Sequence, residues 1–119
     1  MSTATKTLRS IQASATNTAT STTNSTTWDA RTAYGGLVSG YITNGGTGPT
    51  IGCDFNIQVS TDGTNWRDYV RSTAGLTASA IYYFGFEFGP SVMYARVQFV
   101  GNTGQSVTIF AEVHEFTSP

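Results

Sequence analysis

The single histidine of this chain restricts the acid–base chemistry open to it. His114 follows Glu112 by two residues, and on a strand that spacing puts both side chains on one face, where they could meet a metal ion. No third ligand stands at a recognisable spacing, so the pair reads as a solvated strand face. Cys53 is the only cysteine. It falls on the inward side of an alternating segment, where a thiol packs and does not react. A lone cysteine also excludes an internal disulfide and a multi-cysteine metal centre. Asp54, Asp62, Asp68 and Glu87 are the carboxylates available for a glycosidase-like pair, but nothing in the sequence brings two together. Asp62 is explained by the turn residue Gly63 behind it. The Gly45–Thr50 segment is rich in glycine but lacks the Lys-Ser/Thr pair and following helix of a phosphate loop. Asp62-Gly63-Thr64-Asn65 lacks the repeated Asp/Asn positions and closing Glu of a calcium loop. The residues thus predict no enzyme activity, no cofactor and no metal.

The elements that carry these residues have a period of two. Ile51, Cys53, Phe55, Ile57 and Val59 alternate with Gly52, Asp54, Asn56, Gln58 and Ser60, the pattern of a half-buried strand. Met93, Ala95, Val97 and Phe99 share one face of another strand, and Val107, Ile109, Ala111 and Val113 one face of a third. Ala80–Phe88 places Tyr82, Phe84, Phe86 and Phe88 on one side. Leu37–Thr43 and Trp66–Arg71 are shorter candidates. Asp62-Gly63 suits a tight hairpin, Asn44–Pro49 reads as a longer loop, and Gly101–Gly104 as the turn of a last hairpin. No segment carries a sustained helical stripe. The pattern predicts an all-β protein, a single β-sandwich of jelly-roll-like form.

At 119 residues the chain suits one domain. Its 6 basic and 7 acidic side chains leave a net charge of −1. That balance argues against nucleic acid as a partner, which needs clustered Lys and Arg, and against a polybasic membrane anchor. No stretch approaches the roughly 18 apolar residues of a membrane helix. Ser and Thr exceed half of residues 1–27, which hold no acid and only Lys6 and Arg9 as charged groups. Such a segment buries too little to fold alone. It is predicted as an extended arm, docked on its own subunit or a neighbour, with residues 28–119 forming the sandwich. On this reading the sandwich folds without the arm. Residues 1–27 also lack the apolar core of a signal peptide, so cytoplasmic synthesis is expected.

The aromatics are 13% of the chain, and Tyr82, Phe84, Phe86 and Phe88 on one strand face, with Tyr83 opposite, are more than one side of a small core needs. Tyr82, Phe84 and Phe86 are candidates for core packing or for a subunit interface, together with Leu8, Ile11 and Trp28. Trp28, Trp66, Tyr34 or Tyr41 could instead form a sugar-stacking platform. Trp66 is expected in the core.

Val59–Trp66, with its Asp-Gly-Thr-Asn-Trp ending, comes with Trp28-Asp29-Ala30-Arg31, Tyr34-Gly35-Gly36, the Ile42–Thr50 loop and Ala95–Asn102. Together these resemble small virion proteins of tailed bacteriophages, of the capsid decoration or cement type, over residues 28–116. The resemblance implies a jelly-roll-like subunit on the capsid surface of a virion, assembled in the host cytoplasm. Its partners would be the major capsid protein and itself, as a dimer or trimer. A tail, baseplate or head-fibre part, or a carbohydrate-binding module with a glycan ligand, is the alternative. No catalytic residue is implied.

Overall fold

The computed structural model describes residues 5–118. Those residues form β1 (Lys6–Asn17), β2 (Thr22–Asn24), β3 (Trp28–Asp29), β4 (Gly36–Asn44), β5 (Asp54–Ser60), β6 (Arg67–Thr73), β7 (Ile81–Phe88), β8 (Tyr94–Val100) and β9 (Val107–Phe116), and no helix. One sheet has the order β1-β9-β4-β7. The other has β2-β8-β5-β6, with β3 also paired to β8. Every pairing is antiparallel. Taken as one interrupted strand, β2 and β3 complete two four-stranded sheets whose strands alternate between layers along the chain. Only β5 and β6 are consecutive neighbours in one sheet. That is the strand order of a jelly roll, two Greek keys rolled together.

The alternation read from the sequence holds best in the two strands central to the core. Val107, Ile109, Ala111 and Val113 of β9 and Ala95, Val97 and Phe99 of β8 are all buried. They meet Val38 and Ile42 of β4, Ile57 of β5 and Phe84 and Phe88 of β7 between the layers. Each of the Val, Ile and Phe side chains contributes about 1.5–3 kcal/mol by leaving water.

Several expectations change. The strand expected from Ile51 starts at Asp54. Ile51 is 57% exposed and makes only a single bridge to Thr103 at the end of the sheet. Met93 is exposed too, because it precedes β8, where its carbonyl accepts the Ala30 N–H. Gly101–Gly104 closes no hairpin: it carries the chain from β8 in one sheet to β9 in the other. Asp62-Gly63 does lie in the β5–β6 hairpin, with Gly63 at φ +78°.

The Ser/Thr-rich N-terminal segment docks on its own subunit. β1 lines the edge of one sheet against β9, and β2 lines the edge of the other against β8. The segment supplies Ile11 to the core. Buried Asn17 donates to Asn102 Oδ1 at 2.6 Å, and Asn102 donates back to the Asn17 carbonyl at 3.1 Å. Residues 6–24 are therefore structural strands of the sandwich, and the expectation that the rest folds without them loses its physical basis.

Candidate functional site

The two outer faces of the sandwich differ in chemistry. On the β2-β8-β5-β6 sheet, amides form a ladder across strands. Gln98 donates to Asn24 Oδ1 at 3.0 Å, and Asn56 donates to Gln98 Oε1 at 3.0 Å. Arg96 donates to Gln58, which donates to Asp68. Arg71 bridges to Asp54 at 2.8 Å. Polar groups here largely satisfy one another.

On the β1-β9-β4-β7 sheet, the odd-numbered residues of β4 and β7 point outward. Register aligns Phe110, Tyr41 and Tyr83 directly across β9, β4 and β7. Phe110 and Tyr41 stack with centroids 5.1 Å apart, and Tyr83 meets Tyr41 edge-on at 6.1 Å. Tyr83 is 76% exposed, the most exposed of the large apolar side chains among the described residues. Ile81 and Leu37 flank the row and Leu8 lies further along the same face, all exposed. His114 stands between Leu8 and Leu37 in register, with Nε2 3.2 Å from Glu112 Oε1. The pair inferred from sequence spacing therefore meets. Among the described residues no group of three His, Cys, Asp or Glu side chains could hold a metal ion.

The six residues named as interface candidates separate. Ile11, Trp28 and Phe84 are buried in this chain's own core, at 5%, 2% and 8% exposure, which corrects their assignment to a contact face. Tyr82 and Phe86 pack partly buried against that core, since even-numbered β7 residues point inward. Leu8 is the member that lies open to solvent. Trp66 is not a core residue. It is half-buried beneath the Arg96 guanidinium, 4.4 Å from the ring centroid. Tyr34 is exposed, outside the aromatic row.

A cleft of about 640 Å³ opens between β1, the Thr26–Ala33 segment and the end of β9. Its wall holds Glu115, 4% exposed, which accepts from Trp28 Nε1 at 3.0 Å and pairs with Arg9 Nε at 2.6 Å. Both carboxylate oxygens thus have charged or N–H donors, which suits a structural tie better than proton transfer. Asp29, in the same cleft, is clamped by Arg31. Those hydrogen bonds lower its pKa from the ordinary 3.8 to about 2. The depressed value adds stability above about pH 4 that is lost as pH falls through 2. A carboxyl NMR titration is expected to find the Asp29 midpoint near 2, and Arg31→Gln to return it towards 3.8.

A second cleft of about 350 Å³ is lined by Tyr69, Arg67, Glu87, Ser60 and Ser91 among others. Tyr69 is 58% exposed and packs edge-on against Phe86 at 5.3 Å. Nearby, Asp62 accepts the N–H groups of Thr64 and Asn65 and the Asn65 amide. These bonds hold its carboxyl well below the usual range, and they account for the Asp-Gly-Thr-Asn phrase as turn chemistry. Cys53 is fully buried, and burial pushes its thiol up to about 12. A thiol reagent at pH 8 is expected to label it only on unfolding; rapid labelling of native protein would contradict its place in the core.

Glu115, Asn17 and Asn102 do not stand out in the sequence as functional or structural anchors. For Glu115 a signal is present nonetheless. It continues the inward register of Val107, Ile109, Ala111 and Val113, and a carboxylate at an inward position requires buried partners. The two asparagines carry no such signal, because their pairing joins residues 85 apart in the chain. No protein-family model matches the chain, and no curated protein sequence matches it.

Proposed function

We propose that this chain is a structural subunit of a tailed-phage virion, a capsid decoration or cement protein that binds the outer shell and bridges major-capsid subunits. The observation that carries this reading is the asymmetry of the two outer faces. One is a ladder of mutually bonded polar groups; the other presents Tyr83, Tyr41, Phe110, Ile81 and Leu37 on a pleated surface. Contiguous exposed apolar surface marks interaction sites, and aromatics dominate the energy of such contacts. The jelly-roll order and the resemblance over residues 28–116 agree with it. The test is co-sedimentation with phage-sized particles from the native source. Hundreds of copies per shell support decoration, and a handful point to a vertex or tail part. Tyr41→Asp is expected to release the protein from particles while leaving its fold intact. Absence from particles removes the virion reading.

A second reading is favoured by the Tyr69 cleft. An exposed ring beside Arg67, Glu87 and two serines is the arrangement that stacks on and hydrogen-bonds a sugar. A glycan screen with parent and Tyr69→Ala decides it. Binding that Tyr69→Ala abolishes supports a carbohydrate-binding module.

A further inference from the structure

Each sheet of the sandwich ends in two edge strands, and an open edge offers unpaired N–H and C=O groups to another strand. Three of the four edges carry devices that discourage such pairing. β1 is broken by register shifts between Ser10 and Gln12 and between Gln12 and Ala15. β6 carries Arg67, Asp68 and Arg71 and faces a register shift at Ile57/Gln58. β2 and β3 are short and interrupted, at 3 and 2 residues. β7 has no register shift and carries a single charge, Glu87. Its 8 residues run in unbroken register with β4, from Ile81↔Thr43 to Phe88↔Gly36, with no Lys, Arg or Pro.

The Asn44 N–H donates to the Ala80 carbonyl. In an antiparallel ladder that fixes the parity: even-numbered β7 residues bond to β4, and odd-numbered ones direct N–H and C=O to the open edge. The outward-bonding residues are then Ile81, Tyr83, Gly85 and Glu87. Gly85 is the informative one. A glycine inside a strand weakens it and often marks the close approach of another group. Nothing within this chain explains it, since a Cβ there would meet no atom nearer than 3.7 Å. Gly40, opposite Phe84 on β4, is different: a Cβ there would lie 2.7 Å from the Phe84 ring. Two residues from Gly85, on the same face, stands the exposed ring of Tyr83.

We propose that β7 pairs with β7 of a second copy of this chain, antiparallel about a two-fold axis at Phe84. In that register Tyr83 of each chain lies over Gly85 of the other, and Ile81 lies opposite Glu87. The ring and the hollow it fills are both supplied by each chain, the self-complementarity an isologous dimer requires. The only charge on the strand, Glu87, is kept away from its own copy. About eight backbone hydrogen bonds form, two for each hydrogen-bonded pair, and the two aromatic faces merge into one eight-stranded surface. This inference stands independently of the virion reading.

Sedimentation equilibrium of the full chain at tens of micromolar is expected to give twice the chain mass. Tyr83→Lys, at an exposed position, is expected to give a folded monomer with a dispersed amide NMR spectrum. The double variant Ile81→Cys with Glu87→Cys tests the register. These residues are too far apart along one strand to join within a chain, so under mild oxidation they are expected to yield a covalent dimer resolved on a non-reducing gel. A monomeric parent protein overturns the proposal, as does an oligomer that survives Tyr83→Lys or a failure of the double variant to cross-link.

Discussion

A chain beginning at Trp28 is expected not to fold. Removing residues 1–27 takes away the edge strand of one sheet and most of the edge of the other. Ile11 leaves a hole in the core, and deleting a buried side chain of that size costs about 2–5 kcal/mol. Asn102 loses both bonds to Asn17, and Glu115 loses its Arg9 partner. Each buried polar group left without a partner costs about 1–3 kcal/mol, more where it is charged. These costs together are comparable with the roughly 5–15 kcal/mol that stabilises an ordinary domain. The expected result is a collapsed amide NMR spectrum for residues 28–119, against a dispersed one for the full chain. Adding a synthetic 1–27 peptide is expected to restore dispersion by strand complementation. A cooperative thermal transition for the truncated chain alone would show that β1 and β2 are accessories to a self-sufficient core.

The composition break at Trp28 invited the opposite conclusion, and the reason is physical. Edge strands bury only part of their side chains. β1 has just Ile11 and Asn17 fully buried in 12 residues, so Ser and Thr serve it well. A segment can thus look like a polar arm and still complete a sheet. Where a strand lies in the middle of its sheet the sequence was more legible. β8 and β9 keep strict alternation because one side of each faces the opposing layer throughout. β5 was legible only in part: Asn56 and Gln58 are buried on its outer face beneath neighbouring long side chains, which a simple inside–outside pattern does not anticipate. Strand order stayed hidden, because β1 pairs with β9 at the far end of the chain and no local residue encodes that partner. The aromatic row was hidden for the same reason. Tyr41, Tyr83 and Phe110 become neighbours only through the registers of β4 with β7 and β9.

The two tryptophans give the second large effect, and in the reverse order to that read from sequence. Trp28→Ala is expected to cost about 5 kcal/mol in urea unfolding, combining about 3–5 for a buried aromatic with the loss of a donor to a buried carboxylate. The Trp28 ring is 2% exposed, packs 6.2 Å from Phe88, and gives its indole N–H to Glu115. Trp28→Phe separates the two contributions. It keeps most of the packing and loses the hydrogen bond, so about 2 kcal/mol is expected. Trp66→Ala is expected to cost about 1 kcal/mol, because that ring is half-buried and held chiefly by its contact with Arg96. A larger loss at Trp66 than at Trp28 would mean that the Asp-Gly-Thr-Asn-Trp hairpin, and not the junction of β3 with the end of β9, closes the core.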